Sequence, residues 1–210
     1  MSEKPAKALA PTALVPAPLL RDLQALLERQ SIRRGDFTLT SGAKSKYYCD
    51  TKATVLSPSG ADLIGRALHA LLLPYRPEAV GGLAMGAAYL ATAVAIASAG
   101  GELPIPGFVV RVEAKGHGTQ SKIDQSWHAD GPLIRAGRRV AVVDDVVTTA
   151  GSTLRAIDAV VEAGCQVIAV AAVLDRQAGG AERIRERGLP FAALFRADSE
   201  GMLHVGATWD

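Results

Sequence analysis

The sequence predicts an α/β fold: a parallel, doubly wound sheet with helices on both faces. Three observations predict it. Short apolar runs suited to strands alternate with helical patterns through most of the chain. One run, Val140 to Val143, is rich in β-branched residues with no polar position, as in a strand buried on both faces. The 210 residues suffice for one such domain with a proper core, with at most a small appendage.

The elements follow in order. Residues 1–16 read as a flexible tail, because Pro11, Pro16 and Pro18 interrupt a mildly apolar stretch that would otherwise resemble a signal peptide. Leu19, Leu20, Leu23, Leu26 and Leu27 recur at helical spacing, giving a helix over 18–30. Residues 36–42 and 46–50 form two short strands about a glycine turn. Ser57 followed by Pro58 starts a helix, a capping hydroxyl and then proline at the first position, and the helix ends near Leu73. Strand 79–83, helix 86–99 and strand 107–111 come next. No helix follows; residues 113–131 are polar and glycine-containing. Strand 140–143 leads to a helix carrying Leu154, Ile157, Val160 and Val161, stopped by Gly164. Strand 167–173, helix 180–187 and a last strand 191–195 complete the pattern.

Composition excludes several classes. With 23 basic and 21 acidic residues the net charge is +2, without the basic excess of a nucleic-acid-binding protein. Cys49 and Cys165 cannot build a disulfide framework or a metal cluster, and read as reduced thiols of a cytoplasmic protein. The four histidines have no zinc-site spacing. The longest apolar run, 87–99, is too short to span a bilayer, so no membrane partner is expected.

The strongest chemical signal is the segment Val140 to Thr153. An apolar strand ends in Asp144 and Asp145, and a loop of hydroxyls and small residues then opens a helix. In open α/β sheets ligands bind at the carboxyl ends of strands. Helix-start N–H groups, with the hydroxyls of Thr148, Thr149, Ser152 and Thr153, suit a phosphate. The two acids suit sugar hydroxyls or a developing positive charge. The Gly-Lys-Ser/Thr of a Walker loop is absent.

These fourteen residues resemble the phosphoribosyl-pyrophosphate (PRPP) motif of the type I phosphoribosyltransferases. The resemblance implies that Asp144 and Asp145 hold the ribose hydroxyls and that Val146, Val147, Thr148, Thr149, Ala150, Gly151 and Ser152 form the phosphate loop. Ala150 stands where the family commonly has glycine. A second segment, Val109 to Gly118, places Arg111, Lys115 and His117 on a strand end and a glycine-hinged loop. It is similar to the catalytic loop of the orotate phosphoribosyltransferases, which binds pyrophosphate. Val112 stands where that family usually has a second lysine.

Two further segments bear on the base. Asp175-Arg176 follows a strand, with Gly179 and Gly180 behind it; an arginine fork matches a planar carboxylate. In the resembling family this arginine binds the orotate carboxylate, and Thr148 lies beside the base. Residues 37–42 and 45–50 resemble the family's hood, with Thr40 and Cys49 in place of the usual lysine and aromatic. The turn 81–87 resembles a pyrophosphate-contacting turn, with Met85 in place of a frequent lysine.

The resemblance therefore implies a fold of the type I phosphoribosyltransferase kind: one domain over 17–210, with a hood at about 17–55 and a mobile loop at about 113–130. It implies transfer of ribose 5-phosphate from PRPP to orotate, giving orotidine 5-monophosphate and pyrophosphate in UMP biosynthesis. Lys115 would be the main catalytic residue beside Asp144 and Asp145. Mg²⁺ would be held mainly through the substrate, with no dedicated protein ligand. The active form would be a homodimer with shared sites. A purine-type transferase, a non-catalytic PRPP sensor and a nucleotide-binding structural subunit are the alternatives.

Overall fold

A computed structural model describes residues 14–38, 44–113, 122–128 and 131–206. Helix α1 (Ala17–Gln30) buries the five leucines singled out by their spacing. Val15 before it is only 1% exposed and Leu14 packs on the same core, so the packed chain begins inside the stretch read as tail. Two strands, β1 (Ile32–Thr38) and β2 (Lys44–Cys49), then pair antiparallel as a separate ribbon, the hood. The ribbon starts earlier than the sequence suggests, because Arg33 and Arg34 hide a strand whose side chains are exposed. A single helical turn, α2 (Lys52–Val55), leads to α3 (Pro58–Leu72). There Ser57 caps the helix by accepting from the Gly60 N–H at 3.1 Å.

The remaining elements are β3 (Ala79–Leu83), α4 (Gly86–Ser98), β4 (Gly107–Val110), β5 (Ile123–Gln125), β6 (Trp127–His128), β7 (Gly131–Pro132), β8 (Arg139–Val147), α5 (Gly151–Glu162), β9 (Gln166–Asp175), α6 (Gly180–Arg185), β10 (Phe191–Ala197) and β11 (Leu203–Val205). The main sheet has the order β11-β10-β9-β8-β3-β4-β5. Its five inner strands are parallel and its two edge strands antiparallel. Within the main sheet the edge strands are the two that the sequence reading lacks. Each has three residues, too few for an alternation to register, and β5 lies inside the stretch read as loop. Outside that sheet, the short pair β6 and β7 is absent from the sequence reading too.

Strand alternation divides the core. Ala141 and Val143 face a layer made by α1, α3 and α4, with Leu23, Ile64, Leu68 and Leu90. Val140 and Val142 face α5 and α6, with Leu154, Ile157 and Ile184. Burying a leucine such as Leu68 completely stabilises the fold by about 1.5–3 kcal/mol. The sheet is thus covered on both faces. Among the described residues its strand ends are left open to a ligand, and there β8 carries Asp144 and Asp145 and β9 carries Asp175.

Candidate active site

Asp144 and Asp145 lie within the last paired residues of β8, not in a loop after it; Asp144 is in register with Ala172 of β9. Pleating sends the two side chains opposite ways. Asp144 points inward and is buried. Its Oδ2 accepts from the Ser152 hydroxyl at 2.7 Å and the Thr153 hydroxyl at 2.6 Å, and its Oδ1 accepts from the Asp145 N–H at 3.0 Å. Burial pushes its pKa up to about 6, and the charge of Asp145 adds to this. Asp144 therefore ties the end of β8 to the first turn of α5. Ser152, predicted for phosphate, gives its hydroxyl to this bond, leaving its backbone N–H for an anion.

Asp145 is half-exposed. Its Oδ2 accepts from the Thr51 hydroxyl at 2.9 Å, and its Oδ1 from the Val146 N–H at 2.9 Å. Against it lies Gly86, the first residue of α4, where a Cβ would come within 2.5 Å of the Asp145 carboxyl carbon. Any side chain at 86 would displace the acid. The turn before it carries a cis Ala84–Met85 peptide and an exposed Met85.

The loop between β8 and α5 takes its shape from Ala150, which sits at φ 59°, ψ 20° in the left-handed region. No side chain caps α5, so its first-turn N–H groups stay open for an anion. Val147 is fully buried, so only its backbone can serve there; its carbonyl accepts from the Arg176 N–H at 2.9 Å. From outside, Arg183 donates to the Thr149 carbonyl at 2.6 Å.

Arg176 follows the end of β9, adjacent to that loop. Asp175 and Arg176 are not a surface ion pair. Asp175 is buried, which raises its pKa, and it accepts from the Gln177 N–H at 2.8 Å. The Arg176 side chain turns to the hood. Its Nε donates to the Tyr47 hydroxyl and its Nη2 to the Ser45 hydroxyl, both at 3.0 Å, and its guanidinium lies 4.4 Å from the Tyr47 ring centre. Arg111, at the end of β4, is ion-paired with Asp124 of β5. Lys115, His117 and Thr40 lie outside the described residues.

The geometry is therefore an uncapped helix start, a half-exposed acid and an arginine fork at adjoining strand ends. A phosphoribosyl transferase domain matches residues 57–187, well over half the chain. An orotate phosphoribosyltransferase of Aquifex aeolicus is 42% identical over 177 residues, 83% of this chain and 93% of its own length. That of Thermosynechococcus vestitus is 43% identical over 189 residues, 90% of this chain and 96% of its own. The chain belongs to the orotate phosphoribosyltransferase family. A crystal structure of the Mycobacterium tuberculosis member in complex with PRPP aligns at a TM-score of 0.68 and 35% identity, over 85% of this chain and 94% of that one.

Three residues important to the site are not singled out by the sequence. Thr51 holds Asp145, and Tyr47 and Ser45 hold Arg176. Tyr47 and Ser45 lie inside the segment 45–50 that resembles the hood, which does not reveal their bonds to Arg176, and Thr51 follows directly after it. Cys49, which stands where the family has an aromatic, is an inert thiol: burial, then the charge of Asp145, pushes its pKa up to about 12. Among the described residues no three His, Cys, Asp or Glu side chains converge on a common point. Asp145 offers a half-exposed carboxylate, an oxygen donor that would suit a Mg²⁺ completed by substrate oxygens. No helix among the described residues is long and apolar enough to cross a membrane.

Proposed function

We infer that this chain transfers the 5-phosphoribosyl group from PRPP to orotate, releasing pyrophosphate and forming orotidine 5-monophosphate. One observation carries the reading: the backbone bond from Arg176 to Val147, which sets an arginine fork beside the open N-terminus of α5. A sugar phosphate seated on the loop thereby has its C1 between that fork and the half-exposed Asp145. The 5-phosphate takes the N–H groups of Thr148 to Ser152, and Asp145 takes the ribose hydroxyls. Asp144 stands behind it; the hydroxyl role expected of it is shared with the bonds that hold Ser152 and Thr153. Arg176 takes the orotate carboxylate, with Thr148 beside the ring.

The orotate N1 attacks C1 as the C1–O bond breaks, its electron pair leaving with pyrophosphate, and the N1 proton is lost to a pyrophosphate oxygen or to water. Catalysis by these residues is positioning and electrostatics, with no covalent protein intermediate. Mg²⁺ would be held beside Asp145, mainly through substrate oxygens, and would supply charge neutralisation to the pyrophosphate. Lys115, His117 and Arg111 meet the departing pyrophosphate, for which Arg111 exchanges its Asp124 partner. Each loop acts in the partner's site of a homodimer, and the enzyme works in the cytoplasm on small molecules, without nucleic acid or membrane.

An ultraviolet assay with Mg²⁺, PRPP and each candidate base in turn tests this. Turnover of orotate is expected. Turnover of a purine and not of orotate would replace the reading with that of a purine transferase, and no turnover of any base would favour a sensor.

A further inference from the structure

A guanidinium carries five N–H donors arranged as two edges, each able to grip a carboxylate with two parallel bonds: Nε with Nη2, and Nη1 with Nη2. In this chain the first edge is taken. Arg176 Nε donates to the Tyr47 hydroxyl and Nη2 to the Ser45 hydroxyl, each at 3.0 Å. The Ser45 hydroxyl gives its own proton to the Tyr47 carbonyl at 2.6 Å, so a lone pair faces the arginine. Among the described residues only these two hydroxyls accept from the guanidinium.

The ring of Tyr47 is closely packed. The guanidinium lies 4.4 Å from the ring centre. The turn before β11 abuts the root of the ring: Gly201 there adopts φ 77°, and a Cβ would come within 2.5 Å of the Tyr47 ring carbon Cγ. That turn is fixed from the hood itself, since Arg34 of β1 donates to the Gly201 carbonyl at 3.1 Å. Tyr47 is 4% exposed, an unusual burial for a strand whose other residues are half or fully exposed. The hood, the C-terminal hairpin and Arg176 thus form one stack.

We propose that Tyr47 and Ser45 are positioning residues for base recognition: they hold the Nε/Nη2 edge of Arg176, so that its Nη1/Nη2 edge is presented to the carboxylate of the incoming base, with Gly201 as the stop beside Tyr47. The proposal rests on the reading that Arg176 receives that carboxylate. Its physical content is preorganisation. A free arginine samples many rotamers and loses that freedom on binding, whereas one held by two hydroxyls and a ring face has lost it on folding. The opposite reading, in which the hydroxyls compete with the base for the arginine, predicts the reverse sign.

The test is steady-state kinetics of the full chain with Mg²⁺, PRPP and orotate, for Tyr47→Phe and Ser45→Ala in the parent and in an Arg176→Ala background. In the parent, each substitution should raise the orotate KM by about three- to tenfold, the size of one lost hydrogen bond, with kcat and the PRPP KM within about twofold. In the Arg176→Ala background the same substitutions should change the orotate KM by less than about twofold, because their effect passes through the arginine. Equal effects in both backgrounds would assign the hydroxyls a structural or independent role and overturn the proposal. So would an unchanged or lowered orotate KM in the parent. If Arg176→Ala itself leaves the orotate KM unchanged, base recognition by Arg176 fails and the proposal with it. If Arg176→Ala raises it while the hydroxyl variants do not, only the positioning role fails. Ser45 is half-exposed, so its variant keeps the test decisive should Tyr47→Phe fail to fold.

Discussion

The two halves of the site are built in opposite ways. On the phosphate side, Asp144 meets Ser152 and Thr153 across eight and nine residues of chain. On the base side, Arg176 meets Tyr47 and Ser45 across 129 and 131 residues. The first is a strand, a turn and a helix start that one short segment can form by itself once packed. The second exists only when the hood has docked on the sheet and on the hairpin before β11. Thr51 joins them, reaching Asp145 from the end of the hood. On the proposed roles, the difference teaches that phosphate binding rests on local chain geometry, and base binding on tertiary assembly.

The largest expected effect would break the comparison at its junction. Asp145→Asn keeps shape and removes the charge proposed to face the ribose, so kcat/KM should fall by about two to three orders of magnitude in the ultraviolet assay. Mixed with Lys115→Ala under conditions that exchange subunits, verified by native mass spectrometry, about a quarter of parental activity should return. Half of randomly paired dimers are mixed, and each mixed dimer has one intact site. With exchange shown and no activity regained, Lys115 works in its own subunit. Next in size is Arg176→Ala. It should raise the orotate KM about ten- to a hundredfold, from the loss of about 1.5–3 kcal/mol, and leave the PRPP KM nearly unchanged. Equal damage to both constants would show that the two halves are not separable.

The same contrast explains what the sequence made legible. The phosphate loop, the acids and the inner strands could be read because their determinants are contiguous: an apolar run, two carboxylates, hydroxyls, a helix pattern. The family resemblance added Arg111 and Arg176. What stayed hidden depends on distant partners. Nothing near Tyr47 in the chain announces Arg176, and nothing near Thr51 announces Asp145. Likewise Asp144 and Asp145 read as equivalent, and only the strand pleat, continued to Val147, separates a buried acid from a half-exposed one. Strands β5 and β11 escaped for a different reason: an antiparallel edge strand of three residues needs only its neighbour's unpaired N–H and C=O groups, not a sequence pattern of its own.

Asp144 offers a prediction of intermediate size. Its carboxyl ordinarily titrates at 3.8, and burial raises this to about 6 in the folded chain. A raised acid binds its proton more tightly folded than unfolded. Its contribution therefore favours folding below the unfolded value and is lost as pH rises through the folded one, the reverse of an acid stabilised by a cation. Asp144→Asn keeps an acceptor for Ser152 and Thr153 but cannot ionise. Denaturant titrations at stepped pH should show the parent losing about 1–3 kcal/mol relative to this variant between about pH 4 and 7, with no further change above. A difference independent of pH would mean that Asp144 titrates normally and is better solvated than its burial suggests.

The smallest effect is expected where a methyl group sits in a left-handed conformation on the phosphate side, and it is sharpest beside its counterpart on the base side. Ala150 and Gly201 both have positive φ, 59° and 77°. Replacing Ala150 by glycine relieves about 1–2 kcal/mol of backbone strain. Against this, glycine costs about 0.4–1 kcal/mol through the freer unfolded chain. The methyl itself is buried among Val147, Leu154 and their neighbours, and its loss costs about 0.8 kcal/mol more. The three terms nearly cancel, which is how the chain tolerates alanine there. Ala150→Gly should shift the thermal midpoint by less than about 3 °C in either direction and the PRPP KM by less than about threefold. Gly201→Ala meets no such cancellation. It adds strain and drives a methyl to within 2.5 Å of the Tyr47 ring, so the ring must move and carry Arg176 with it. Overpacking of this kind costs about 1–3 kcal/mol, and the orotate KM should rise with it while the PRPP KM holds. Should Ala150→Gly instead prove the more damaging of the two, for stability or for either substrate, the phosphate loop is not the self-contained unit that its short-range bonds imply.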